Sequence, residues 1–367
     1  MTESIGILDD WAQTVTEGNQ QPPAESSAPN LGTLAQPGFQ LLRTANEFVQ
    51  ILKSLSVEGP LGLTSNLLEE YVIGKGGQFT VYRSSISGQN LTVPWKTTAA
   101  AIKRCKIVLG PNQVIDLTGD DVKRQVHNMF LEVLVLRDPL LRSHRNIVQL
   151  LGWAHEGGFN ALPLLVMELA TEGDLTKFMS GPMAENWDVR HHLCLDMAAG
   201  LDAIHRCGII HADFKPENVL IFQNDSEDVP LIAKLSDFGF SEPEAKTRSG
   251  SMIHITALSK GWQAPEMSLT IPPTSITTDD YKKSDNYSLG LVIWSVCCFR
   301  GRPPPENSNS GVLALALRML GGLPTIPESL RKTFGLGLGQ LLCYDAAQRP
   351  EYTLEFFRDN GDATAKW

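Results

Sequence analysis

The chain has no surplus of positive charge, no cysteine pair of metal or redox type, no long apolar run and no basic leader, and each lack closes a class of function. Its 41 acidic side chains outnumber 31 basic ones, for a formal net charge of −10, and its isoelectric point is near 5.3. Proteins that bind nucleic-acid polyanions usually carry a concentrated basic face, so nucleic acid is not an expected partner. Nucleotide binding needs only a few local cations and stays open. The six cysteines (Cys105, Cys194, Cys207, Cys297, Cys298 and Cys343) form no C-x-x-C pair and no Cys/His spacing of a zinc site, which reads as reduced, mostly buried thiols. Met1 to Trp11 carries Glu3, Asp9 and Asp10 where a secretory signal would be basic. The longest uncharged apolar run, Leu289 to Phe299, is about half of a membrane span and reads as a buried helix. The expectation is a soluble, intracellular protein, cytoplasmic or nuclear, neither secreted nor inserted in a membrane.

What is present fits one large domain or two lobes with ordinary cores: 367 residues, 42% hydrophobic and 20% charged. Residues 12–38, rich in Gln, Pro, Ser and Gly, read as a flexible tail, so 1–38 is set apart. In 39–67, a helix and linker, Phe39, Leu42, Ala45, Phe48 or Val49, Leu52 and Leu55 recur at helical spacing. That stripe fits first a helix packed on its own domain, and second one that binds a partner. Tyr71 to Ile86 and Ala99 to Ile107 read as strands. A helix starts near Thr118, where Thr118-x-x-Asp121 resembles a capping box, and ends before Pro139. Leu164 to Met167 reads as a short strand, with mostly helical patterns after it. Residues 359–367 read as a tail.

The chemistry-bearing residues lie in three groups. Gly74, Gly76 and Gly77, between two strand patterns, let a backbone approach phosphates that side chains would exclude. Lys103 ends the next strand, within reach of those phosphates. The third group is His211-Ala212-Asp213-Phe214-Lys215-Pro216-Glu217-Asn218, followed by Asp237-Phe238-Gly239. A carboxylate at 213 can take the proton of an attacking hydroxyl, Lys215 can neutralise charge on a moving phosphoryl group, and Asn218 and Asp237 can hold the bridging metal.

On these motifs, in this order, the chain resembles the eukaryotic protein kinase family, serine/threonine type, across roughly residues 68–358. The resemblance implies an α+β, bilobal fold: a small antiparallel-sheet lobe with a regulatory helix over about 68–167, and a larger, mainly helical lobe over about 171–358. It implies ATP and Mg2+ as cofactors and a protein hydroxyl as substrate. Asp213 becomes the catalytic base, with Lys215, Lys103 and Glu132 as its catalytic companions, Glu132 pairing with Lys103 from the regulatory helix. Asn218 and Asp237 become metal ligands. The nucleotide is bounded by Ile73, Gly74, Gly76, Val81, Ala101, Lys103, Met167, the backbone of Glu168 and Ala170, Asp174 at the ribose, and Leu220. Glu266 of Ala264-Pro265-Glu266 pairs with Arg349, and Asp285 bonds back to the catalytic loop.

Two departures stand out. Phe79 replaces the third loop glycine, from which a looser fit over the phosphates and a lower ATP affinity are expected. Ala212 stands where many members have the arginine that clamps a phosphorylated activation segment, so switching on without such phosphorylation is expected, although Thr247, Ser249, Ser251 and Thr256 lie in that segment. Two other readings remain: a pseudokinase acting as a binding or scaffold module, favoured by Phe79 and the N-terminal helix, and a small-molecule kinase, which shares the H-x-D core but not the Glu266, Asp285 and Arg349 set.

Overall fold

A computed structural model describes residues 45–63, 71–87, 99–106, 120–155, 162–224, 230–243, 259–268, 278–305 and 311–358. Both expected tails, Phe39 and Leu42, Thr118 of the capping box, the insertions at 88–98 and 107–119, and the four Ser/Thr residues of the activation segment lie outside the described residues. The first element is α1 (Ala45–Ser54). Within the described residues part of its apolar stripe packs inside the protein: Phe48, Val49 and Leu52 are buried in one cluster with Val126, Met129, Phe130 and Val133, and the Phe48 and Phe130 rings meet edge-on at 6.5 Å. The helix stops in a Schellman-type turn, with left-handed Ser56 and the Val57 amide donating to the Leu52 carbonyl at 2.8 Å.

The chain then forms β1 (Gly62–Leu63), β2 (Val72–Lys75), β3 (Phe79–Ser87) and β4 (Ala99–Cys105). The long helix α2 (Asp120–Arg137) follows, then β5 (Leu150–Ala154) and β6 (Leu164–Glu168). The strands make one antiparallel sheet in the order β1-β3-β4-β6-β5, with β2 also on β3. Residues 58–63 strap the two ends of that order together. Trp153 N–H donates to the Glu58 carbonyl at 2.9 Å, Leu61 N–H donates to the Trp153 carbonyl at 2.8 Å, and Gly62 and Leu63 pair with Ser87 and Ile86. Gly152 permits this approach, since a Cβ there would lie 2.5 Å from the Glu58 carbonyl oxygen.

The larger lobe contains β7 (Gly173–Asp174), α3 (Leu175–Phe178), α4 (Trp187–Arg206), β8 (Ile209–Ile210), β9 (Val219–Gln223), β10 (Leu231–Leu235), β11 (Glu242–Pro243), α5 (Thr278–Cys298), α6 (Val312–Gly321) and α7 (Glu328–Leu341). The architecture is the bilobal α+β kinase fold. Helices dominate this lobe as expected, but five short strands frame the loops between them, in the orders β10-β9-β7 and β11-β8. Strands of two to five residues carry too little alternation to be read from sequence. The apolar run at Leu289 lies within α5, with Leu289, Val292, Ile293, Trp294 and Val296 all buried, and among the described residues no helix is long and apolar enough to cross a membrane. Asn186 caps α4 by accepting from the amides of Asp188 and Val189. The lobes are stitched behind the cleft, where Val148 N–H donates to the Leu235 carbonyl and Leu235 N–H to the Asn146 carbonyl. That stitch fixes the segment between α2 and β5 against β10.

Candidate active site

Strand β8 delivers the chain into 211–218 through a backbone held from below by α5. The Asp285 carboxylate accepts from the amides of His211 (2.7 Å) and Ala212 (2.9 Å) and faces His205 Nε2 at 3.0 Å. Ala212 takes the left-handed conformation, φ 65°, which costs energy for a residue with a Cβ and is sustained by these bonds. The turn aims Asp213 into the cleft. Lys215 Nζ donates to Asp213 Oδ2 at 2.5 Å, Ser259 Oγ donates to Oδ1 at 2.7 Å, and Asn218 Nδ2 donates to both the Asp213 carbonyl and Oδ2. Lys215 also donates to Ser259 Oγ at 2.8 Å. Each oxygen of this carboxylate is therefore oriented by a neighbour. Beside it opens a cavity lined by Ala212, Ser259, Trp262, Gln263, Tyr281 and Ser284.

The opposite wall is built on Lys103, which β4 presents to the cleft. Its ammonium donates to both oxygens of Glu132, on α2, at 2.7 and 2.6 Å, and to Asp237 Oδ1 at 2.8 Å. Burial alone would lower the Lys103 pKa, but the carboxylates of Asp237 and Glu132 outweigh it and raise it, which keeps the group cationic. Burial pushes Glu132 upward against the pull of the same ammonium. For Asp237 burial also pulls upward, yet Lys103, helped by Lys215 and His211, brings it below the ordinary carboxylate value. Asp237 is left-handed at φ 62°, and the turn is anchored by the fully buried Phe238, whose ring lies 5.4 Å from that of His211.

The ring of Phe79 stands over the Lys103 ammonium, 4.4 Å from its centroid, and is 7% exposed. The ring is thus buried against the ammonium. At Gly74 and Gly76 an added Cβ would meet nothing closer than 3.7 and 3.8 Å. The fold itself does not demand glycine at either position, whereas close approach of a phosphate does. No group of three or more His, Cys, Asp or Glu suited to a metal is present among the described residues. A divalent ion here would have Asn218 and Asp237 from the protein and complete its oxygen shell from phosphate and water, the usual manner of Mg2+.

Of the residues expected around a base and ribose, Ala101 and Met167 are register partners and share one apolar cluster that also takes in Val81, Ala170 and Leu220. Ile73 is not gathered with them; it lies at the bulge between Val72 and Gly74 and is 52% exposed. The Glu168 side chain turns away toward β10, accepting from Lys234 Nζ at 2.7 and 2.8 Å and from Gln149 N–H at 2.8 Å. Asp174 caps α3 by accepting from Lys177 N–H at 2.8 Å. Arg349 forks onto Glu266, at 2.5 and 2.9 Å. Reasoning from sequence missed Ser259, whose only signal was its place just upstream of Ala264-Pro265-Glu266.

The family model described as "Protein kinase domain" matches residues 112–352. The match begins beyond Lys103, so the phosphate-facing part of the small lobe stands on its geometry. The chain is 29% identical over 269 residues to an Arabidopsis thaliana leaf rust 10 disease-resistance locus receptor-like protein kinase-like 2.4, covering 72% of this chain and 37% of that one. It is 31% identical over 250 residues to wall-associated receptor kinase 1 of the same plant, covering 66% and 28%. With the rice (Oryza sativa subsp. japonica) G-type lectin S-receptor-like serine/threonine-protein kinase LECRK1 the identity is 36% over 162 residues, covering 43% and 18%. The chain thus spans well under half the length of these relatives.

Proposed function

The chain belongs to the protein kinase family, and we propose that it is an active serine/threonine protein kinase, moving the γ-phosphoryl group of ATP to a hydroxyl of a protein substrate. The observation that carries this reading is the closed Lys103–Glu132–Asp237 cluster, which joins the two lobes through one buried ammonium. ATP supplies the phosphoryl group, and Mg2+ the charge that offsets its oxygens. Lys103 orients the α and β phosphates, and Asn218 and Asp237 hold the metal. Val81, Ala101, Met167 and Leu220 exclude water around the base, with Ile73 closing over it from the loop. The backbone of Glu168 and Ala170 faces the base edge, and Asp174 lies beside the ribose. Asp213 accepts the proton of the attacking Ser or Thr hydroxyl, and Lys215 compensates charge at the transferring group. Catalysis is then positioning plus charge stabilisation. All six cysteines are free thiols, which supports an intracellular site of action.

A second reading, a pseudokinase that binds without turnover, is favoured by one observation, the Phe79 ring lying against the Lys103 ammonium where the third loop glycine is expected. Phosphate transfer from labelled ATP with Mg2+ to a mixed panel of Ser, Thr and Tyr peptides separates the two. Transfer to Ser or Thr that Asp213→Asn abolishes supports the enzyme. No transfer by folded wild type hands the site to the pseudokinase.

A further inference from the structure

Helix α2 carries two buried polar residues one turn apart on the face that looks toward the sheet, and only one of them, Glu132, belongs to the cluster described above. The other is Asn128, 5% exposed. Its neighbours on the buried side of the helix are Val126, Met129, Phe130 and Val133, a setting in which an apolar residue would serve packing equally well. A buried amide is costly unless its donors and acceptor are all met. They are met from two separate segments. With the Asn128 and Gln78 amides both turned so that donors meet acceptors, Nδ2 donates to the carbonyl of Gly239 at 3.0 Å and to that of Arg124 at 3.1 Å, while Oδ1 accepts from Gln78 Nε2 at 3.0 Å.

Gln78 is the tip of the glycine hairpin, and Gly239 closes the turn that displays Asp237. Contact at Gly239 is close, since a Cβ there would lie 3.4 Å from both the Asn128 Cβ and its carbonyl oxygen. The hairpin tip is fixed on its other side as well, with Lys106 N–H donating to the Gln78 carbonyl at 2.9 Å. The next residue, Phe79, packs in one cluster with Val126 and Met129. The helix therefore joins the sheet to the Asp237 turn by two successive rungs: Glu132 through the Lys103 ammonium, and Asn128 through Gln78.

We propose that Asn128 is a positioning residue for the phosphate end of the nucleotide site, coupling the seat of the glycine hairpin to the Asp237-Phe238-Gly239 turn so that loop, helix and turn move as one body. Its bearing on catalysis rests on the kinase reading of the site, but the coupling itself does not. The coupling needs no phosphate group in the activation segment, in keeping with alanine at 212.

The test uses the full chain with Gln78→Leu, Asn128→Leu and the double variant. The dissociation constants of ATP with Mg2+ and of adenosine are measured by calorimetry, and amide hydrogen exchange is followed over residues 76–79 and 237–240 without nucleotide. Each single variant is expected to weaken ATP binding about tenfold, the size of one or two net hydrogen bonds. The double variant should be no worse than either single one, and adenosine affinity unchanged. Gln78→Leu, which touches the turn only through Asn128, should quicken exchange at 237–240. The proposal is overturned if exchange at the turn stays at the wild-type rate in Gln78→Leu, if the two losses multiply, or if adenosine weakens as much as ATP. Wild type that binds ATP without transferring phosphate would sink the kinase reading and leave this one standing. Wild type that binds no nucleotide leaves the exchange experiment to decide it.

Discussion

Lys103 and Lys215 face the cleft from opposite lobes and are held by different physics. The Lys103 side chain is 7% exposed, and its partners lie 29 and 134 residues away in the chain. The Lys215 side chain is 22% exposed, and its partners lie 2 and 44 residues away. One is an ion cluster assembled from three segments around a buried ammonium; the other is built on a loop whose backbone Asp285 has already set. Long-range burial makes the small-lobe half of the site depend on the fold. Partly solvated bonds from Lys215 to Asp213 and Ser259 make the large-lobe half depend on the loop and on the segment that carries Ser259.

The largest expected effect isolates the loop. Asp213→Asn keeps the size of the side chain and removes the base, so kcat should fall by about 10²–10⁴ with ATP affinity and melting temperature near wild type; retained turnover would remove Asp213 from that role. Next comes a paired test of the two lysines by denaturant unfolding. Lys103→Met strands Glu132 in an apolar site and should cost about 3–5 kcal/mol of stability, whereas Lys215→Met breaks a partly solvated pair and should cost about 1 kcal/mol or less. Equal losses would erase the distinction drawn above. Smaller again, Ser259→Ala removes one of the donors that orient Asp213 and should lower kcat about tenfold, roughly 1.4 kcal/mol of barrier. Ser259→Thr, which retains the hydroxyl, should restore most of it.

The last effect depends on pH and concerns a buried acid without such a cluster. Burial pushes Asp196 up to about 7 from 3.8, against hydrogen bonds from the Ala233 amide and Asn146 and the charges of Arg145 and Lys234. His192, whose Nε2 lies 3.8 Å from it, is pushed down to about 4 by burial first and by Arg145 and His191 next. With its folded pKa above the unfolded one, Asp196 binds more protons folded than unfolded between those values, so stability drains away as pH rises from about 4 to about 7 and levels beyond. Asp196→Asn should therefore show a melting-temperature advantage of a few degrees that grows over that interval and then stays flat. An advantage independent of pH would mean that the carboxyl titrates alike in both states.

Legibility followed the same divide. Asp213, Lys215 and Asn218 fall within six residues, so their spacing alone announced the loop, and the structure brings them together. Lys103 and Glu132 needed a strand end and a helix face to be guessed separately, and the resemblance supplied the pairing. Ser259, Gln78 and Asn128 each bond to distant segments through one hydroxyl or amide group, which leaves no periodicity behind. Phe79 was visible as a departure, but the direction of its ring depends on the strand face that β3 turns toward Lys103. The stripe of α1 was equally plain, yet an apolar stripe looks the same whatever covers it; here α2 does.

The strap at 58–63 has a consequence outside catalysis. A sheet that stops at a bare strand offers its unpaired amides and carbonyls as a template on which another chain can polymerise. In this lobe Glu58 and Leu61 meet the backbone of β5 while Gly62 and Leu63 meet that of β3, so the backbone groups paired there are not open to another chain.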